Sequence, residues 1–126
     1  MPSFEIVPIN GITQTTVEGT LDFEASATIL RGVAAENAEK GKHLLIDLRE
    51  AEASGLSYTD IYRLVEILGD HPVAFRGRMA ILDTFRAGFE KVQFFQASAT
   101  DLGFEVRAFL DEGAAVVWLE AGEPEA

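Results

Sequence analysis

The chain has no cysteine and only two histidines, His43 and His71, among its 126 residues. The first absence removes disulfides, thiol nucleophiles and thiolate metal sites. The second leaves too few imidazoles for a multi-histidine centre, so neither a metal nor a cofactor is expected. No apolar run approaches the ~20 residues of a membrane span. The start, Met1-Pro2-Ser3-Phe4-Glu5, lacks the basic segment of a signal peptide, and a cytoplasmic protein without a membrane span is expected. Positive charge is scarce as well. Ten Lys and Arg stand against 21 Asp and Glu, a net charge of −11 that disfavours nucleic acid and anionic lipid as partners. No basic residue precedes Arg31 or follows Arg107, yet Arg76, Arg78, Arg86 and Lys91 crowd around only Asp83 and Glu90.

What is present reads as one globular domain spanning 1–126, with 48% hydrophobic residues, too polar for a membrane protein and too apolar for a disordered one. Phe4 to Ile9 and Ile12 to Glu18 flank Asn10-Gly11, the dipeptide that best supports a tight hairpin. Pro8 cannot donate to a ladder, which places the first strand at an edge. A break at Gly19-Thr20 precedes a helix capped by Asp22 or Thr20, with Phe23, Ala27, Leu30 and Ala34 on one face and Gly41 as its stop.

Leu44-Leu45-Ile46, interrupted at Asp47 and resumed at Leu48, has the unbroken apolar character of a strand buried on both faces. After about eight loop residues, Ser57 and Asp60 form a capping box for a helix with Tyr58, Ile61, Tyr62, Val65 and Leu68 on its apolar face. Gly69, Pro72 and Gly77 bracket a polar connection to a second apolar strand, Met79 to Leu82. Phe85, Phe89, Val92, Phe95, Ala99 and Leu102 then follow the helical period up to Gly103. Phe104 to Phe109 alternates as the opposite edge strand, and Asp111-Glu112 opens a last helix that buries Ala115, Trp118 and Leu119. Gly122 to Ala126 reads as a frayed acidic tail. The order predicts an α/β fold, an N-terminal β-hairpin followed by β/α units, giving a mainly parallel five-stranded sheet with about four helices.

Several pieces together carry a family likeness: Val17-Glu18-Gly19-Thr20-Leu21, Asp47-Leu48-Arg49, Gly55-Leu56-Ser57, and Gly103 to Phe109 followed by Asp111-Glu112, Ala115 and Trp118-Leu119. The chain resembles the STAS-type domains (sulfate transporter and anti-sigma-factor antagonist), and within them the stand-alone bacterial SpoIIAA-like proteins. The resemblance covers most of the chain. It implies a sheet whose later strands add in sequence and a non-enzymatic binding or regulatory module with a protein partner. In the antagonists an Asp-Ser-Ser-Gly-Leu loop carries the phosphate acceptor at its second serine. Here that loop reads Glu52-Ala53-Ser54-Gly55-Leu56, so the resemblance implies phosphorylation at Ser54, with Glu52 and Ala53 as departures and a loop about three residues shorter.

Other residues offer competing chemistries. Asp47 and Asp83 end two parallel strands, where a carboxylate pair holds a divalent metal for hydrolysis or merely accepts loop and helix-cap N–H bonds. Arg76, Arg78, Arg86 and Lys91 form either a surface for an acidic partner or anion, including a second copy of the chain, or a solvated face. Phe85, Phe89, Phe94, Phe95 and Phe104 are core, or line a site for a small apolar or lipid-like ligand, as the likeness of the broader fold to lipid-carrying CRAL-TRIO domains implies. Adjacent Phe94 and Phe95 point about 100° apart on a helix, so one of them is available to a groove.

Overall fold

The computed structural model describes residues 3–9, 11–38, 42–85 and 88–122. Nine elements follow one another: β1 (Ser3–Ile9), β2 (Ile12–Thr20), α1 (Phe23–Glu36), β3 (His43–Glu52), α2 (Tyr58–Asp70), β4 (Met79–Leu82), α3 (Phe89–Asp101), β5 (Val106–Phe109) and α4 (Glu112–Ala121). The five strands form one sheet in the order of the sequence. β1 pairs antiparallel with β2 through the register Ile9 to Ile12, and every later pair is parallel. Gly11 takes the left-handed conformation that so tight a connection needs, φ 81°. Asn10, the other half of the hairpin signal, lies outside the described residues, as do Gly41 and the tail from residue 123.

Three consecutive right-handed crossovers in a sheet that grows in one direction must put their helices on the same face. Accordingly α1, α2 and α3 bury the main core against that face, including Val17, Leu30, Val33, Leu44, Val65 and Leu68. With that face filled, α4 folds back onto the other, where Ala115 and Leu119 meet Leu45, Ala80 and Leu82. β3 and β4 are therefore covered on both sides, which is why their sequences lack alternation. On the α4 side of β2, Ile12 packs against that second cluster while Gln14 and Thr16 stay partly exposed, and Thr13, Thr15 and Val17 are buried.

Two boundaries differ from the sequence expectation for one reason. β2 does not end at Gly19 but runs to Thr20 past a register shift between Thr16 and Glu18. It thereby offers partners to Glu50, Ala51 and Glu52, and β3 extends to Glu52. The expected eight-residue loop shrinks to Ala53–Ser57. Helix ends were more legible. Asp22 Oδ1 accepts the Ala25 N–H at 2.8 Å, and Ser57 and Asp60 form both bonds of the capping box. α1 closes at Asn37, fully buried, whose Nδ2 donates to the carbonyl oxygens of Ala74 at 2.6 Å and Lys42 at 3.1 Å.

Candidate functional site

The carboxyl ends of the parallel strands gather the residues of interest, as open α/β sheets do. Ser54 sits exposed in the short turn between β3 and α2. Its N–H donates to Glu52 Oε1 at 3.1 Å, so the acid that departs from the antagonist loop is folded back onto the turn. The α3 start lies against the same backbone. Gly88, its N-cap, has φ 104° and no side-chain cap bond, and a Cβ there would lie 2.9 Å from the Ser54 nitrogen. Only glycine permits both the left-handed conformation and that approach.

The first two turns of α2, which follows the Ser54 turn, and of α3 carry an aromatic patch. Tyr58 and Tyr62 are 47% and 58% exposed, although their spacing assigned them to the buried face of α2. Leu64 and Ile67 take their place in the core. Phenol rings tolerate this because each keeps a polar tip in water. Phe94 is half-buried between them, with its ring 4.8 Å from Tyr58 and 5.3 Å from Tyr62 in edge-to-face contacts. Phe95 instead turns into the core. Phe85 corrects another expectation. It precedes α3 rather than joining its buried face, and it is 83% exposed, with its ring 5.9 Å from Phe89.

The linear basic cluster is not one surface. Arg76 and Arg78 precede β4, at the amino end of the parallel strands, whereas Lys91 follows β4 at the carboxyl end and Arg86 lies outside the described residues. Arg78 bonds Glu105 Oε2 at 3.1 Å and the Trp118 carbonyl oxygen at 2.7 Å, with its guanidinium 4.8 Å from the Trp118 ring centroid. It ties α4 to the sheet. Lys91 Nζ donates to the Leu56 carbonyl oxygen and sits 4.6 Å from the centre of the Tyr58 ring, joining α3 to the Ser54 turn.

Asp47 and Asp83 each accept hydrogen bonds from residues close to them in the chain. Asp47 Oδ1 accepts the Arg49 N–H and Nε, each at 3.0 Å, and Oδ2 accepts Arg49 Nη2 at 2.8 Å, while the same guanidinium reaches Glu112 of α4 at 2.8 Å. Burial pushes the Asp47 carboxyl up, but these bonds and the Arg49 charge outweigh it and hold the pKa below the ordinary carboxylate range. Bonding to Asp47 raises the Arg49 pKa in turn, against some desolvation. Asp83 Oδ1 accepts the Thr84 N–H at 2.8 Å. Among the described residues no three His, Cys, Asp or Glu side chains gather as a metal set, and no helix is long and apolar enough to cross a membrane.

The sequence reading missed Asn37, Tyr58, Tyr62 and Gly88 as functional or anchoring positions. For the tyrosines a signal was available in their hydroxyls, and for Asn37 in a buried-length helix followed by a helix-ending residue type.

No family model and no curated protein matches the sequence. Solved structures do match. An anti-sigma factor antagonist from Mycobacterium paratuberculosis superposes with a TM-score of 0.62 at 15% identity, covering 95% of each chain. An uncharacterized protein with a SpoIIAA-like fold from Shewanella loihica gives 0.60 at 19% identity, covering 94% of this chain and 93% of its own. The anti-sigma factor antagonist SpoIIAA in its unphosphorylated form gives 0.58 at 13% identity, covering 94% and 98%. With its N-terminal hairpin, its sequential five-stranded sheet and its four helices, the chain has the SpoIIAA-like fold.

Proposed function

We propose that residues 1–126 form one regulatory protein-interaction module, cytoplasmic and without catalysis, whose partner docks at the carboxyl end of the sheet. The observation that carries this reading is the position of Ser54: exposed, in a five-residue turn, directly before a capped helix whose first two turns carry exposed Tyr58 and Tyr62. Two of the fold neighbours are named as anti-sigma factor antagonists, which supports a protein partner over a chemical substrate. In this reading Ser54 is the phosphorylated position, and the aromatic patch supplies the rigid, half-apolar contact area that recurrent binding surfaces use. A phosphate on Ser54 would add roughly −1.5 to −2 charges next to Glu52. The Coulomb cost of that neighbour is about 1 kcal/mol per unit charge at 4 Å in water, small enough for a dedicated kinase to overcome.

The test is incubation of the protein with ATP and lysate of its source, followed by mass spectrometric mapping. Phosphate on Ser54, with partner capture that disappears in Ser54→Asp or in the Tyr58→Ala/Tyr62→Ala double variant, is the expected result. An unmodified Ser54 together with capture indifferent to these variants would remove the reading. A second copy of the chain is the other candidate partner, and sedimentation that finds only monomer at high concentration and low salt rules it out. A long-chain lipid carrier is not favoured, because the cavity in the main core measures about 80 Å³, about half of the 150 Å³ that admits one benzene.

A further inference from the structure

That cavity lies between the sheet and α1, α2 and α3, and apart from Ser26 and Lys91 every side chain lining it is hydrocarbon. Its walls include Leu30, Ile46, Ile61 and Phe95 from the core, and all lining residues are buried except Leu48 and Lys91, which are half-buried and so mark its mouth. The void is more than one water needs, yet a water inside would find almost nothing to bond. Ser26 Oγ, in the α1 wall, is buried with no hydrogen-bond partner among the described residues. Leaving this space empty forfeits contacts on every side.

Lys91 gives the mouth a sign. Its ammonium has three donors, and its partners are one neutral carbonyl, that of Leu56, and the face of Tyr58. Among the described residues no carboxylate pairs with it. An apolar pocket with a single cation at its rim fits an amphiphile whose hydrocarbon end goes in and whose anionic end stays out.

We propose that the cavity is a binding site for a short-chain carboxylate of about four or five carbons, its tail among Leu30, Ile61 and Phe95 and its carboxylate on Lys91 Nζ. Volume sets the chain length: half a benzene-sized space takes about three or four carbons below the head group. Because Lys91 also holds the carbonyl of Leu56, an occupant that draws the ammonium away loosens the link between α3 and the Ser54 turn. The site is independent of the partner reading, since it concerns a small molecule and purified protein alone.

The experiment is a methyl-resolved NMR titration of the full chain with butanoate, butylamine and octanoate. Saturable shifts at Leu48, Leu56, Ile61 and Val92 with butanoate are expected, with butylamine and octanoate each weaker by about tenfold or more, because the first lacks the charge-assisted bond and the second exceeds the volume. Lys91→Met should weaken butanoate by a similar factor, and Ala53→Leu, which fills the space, should abolish the shifts. Absence of saturation with butanoate, equal binding of butylamine, or undiminished binding to Lys91→Met would overturn the proposal. If Ala53→Leu does not fold, the ligand series on the unaltered protein and on Lys91→Met still decides it.

Discussion

The two ends of the parallel sheet are built from different materials. At the amino end, polar side chains are consumed internally: Asn37 bonds two carbonyls, His43 Nδ1 accepts the Arg78 N–H at 2.8 Å, and Arg78 itself is bound to Glu105 and laid on Trp118. At the carboxyl end, a serine hydroxyl, two tyrosines and Phe85 face solvent, and α3 starts without a side-chain cap. The first end closes the fold. The second spends its conformational freedom on short, shaped turns, the usual place for recognition in open α/β sheets.

This contrast can be broken experimentally. The largest effect should come from the closed end, where Asn37→Leu strands the carbonyl oxygens of Ala74 and Lys42; a loss of about 3 kcal/mol is expected, and urea denaturation with a loss below ~0.5 would show that the amino end is not the anchor. At the open end the sensitive position should be backbone rather than side chain. Gly88→Ala combines a φ of 104° with a Cβ 2.9 Å from the Ser54 nitrogen, and should cost about 2 kcal/mol while shifting the Ser54 amide in NMR spectra. An unmoved Ser54 resonance would separate the two turns.

Asp47→Asn probes the link between β3 and α4. Its carboxyl pKa is depressed in the folded state, so its contribution is present above the unfolded-state value, about 3.9, and is lost as pH falls through the lower folded value. The variant should be less stable by about 1–2 kcal/mol at pH 7, with the gap to the unaltered protein narrowing below about pH 4. A gap that stays constant down to pH 2 would mean that Arg49 does not discriminate the charged form. The smallest effect belongs to neither end. Thr15 Oγ1 is buried in β2 without a hydrogen-bond partner among the described residues, and Thr15→Val should raise stability by about 0.5–1 kcal/mol; a lower melting temperature would reveal a partner for that hydroxyl.

The candidate site was only partly legible in the sequence, and the misses share a cause. Ser54 was singled out because its loop resembles a known one, and it lies exposed in the turn after β3. Arg76, Arg78 and Lys91 are near in sequence but are divided by β4, whose extended backbone carries its two flanks to opposite ends of the sheet. Tyr58 and Tyr62 followed the helical period yet stayed outside the core, because periodicity records which residues share a face and not how far that face is covered, whereas Phe85 is exposed because α3 begins only at Phe89.

Local chemistry determined the elements themselves. Side-chain caps at Asp22, Ser57 and Asp111, the unbroken apolar strands β3 and β4, and the hairpin signal at Asn10-Gly11 depend on a few neighbouring residues, and crossover handedness then leaves little choice of topology. Only the tertiary structure decided the rest: the extension of β3 by its pairing with β2, the bond from Arg49 to Glu112 of α4, the burial of Asn37 against Ala74, and a cavity lined from six elements. Each depends on residues distant along the chain meeting at one point, and no short-range propensity encodes such a meeting.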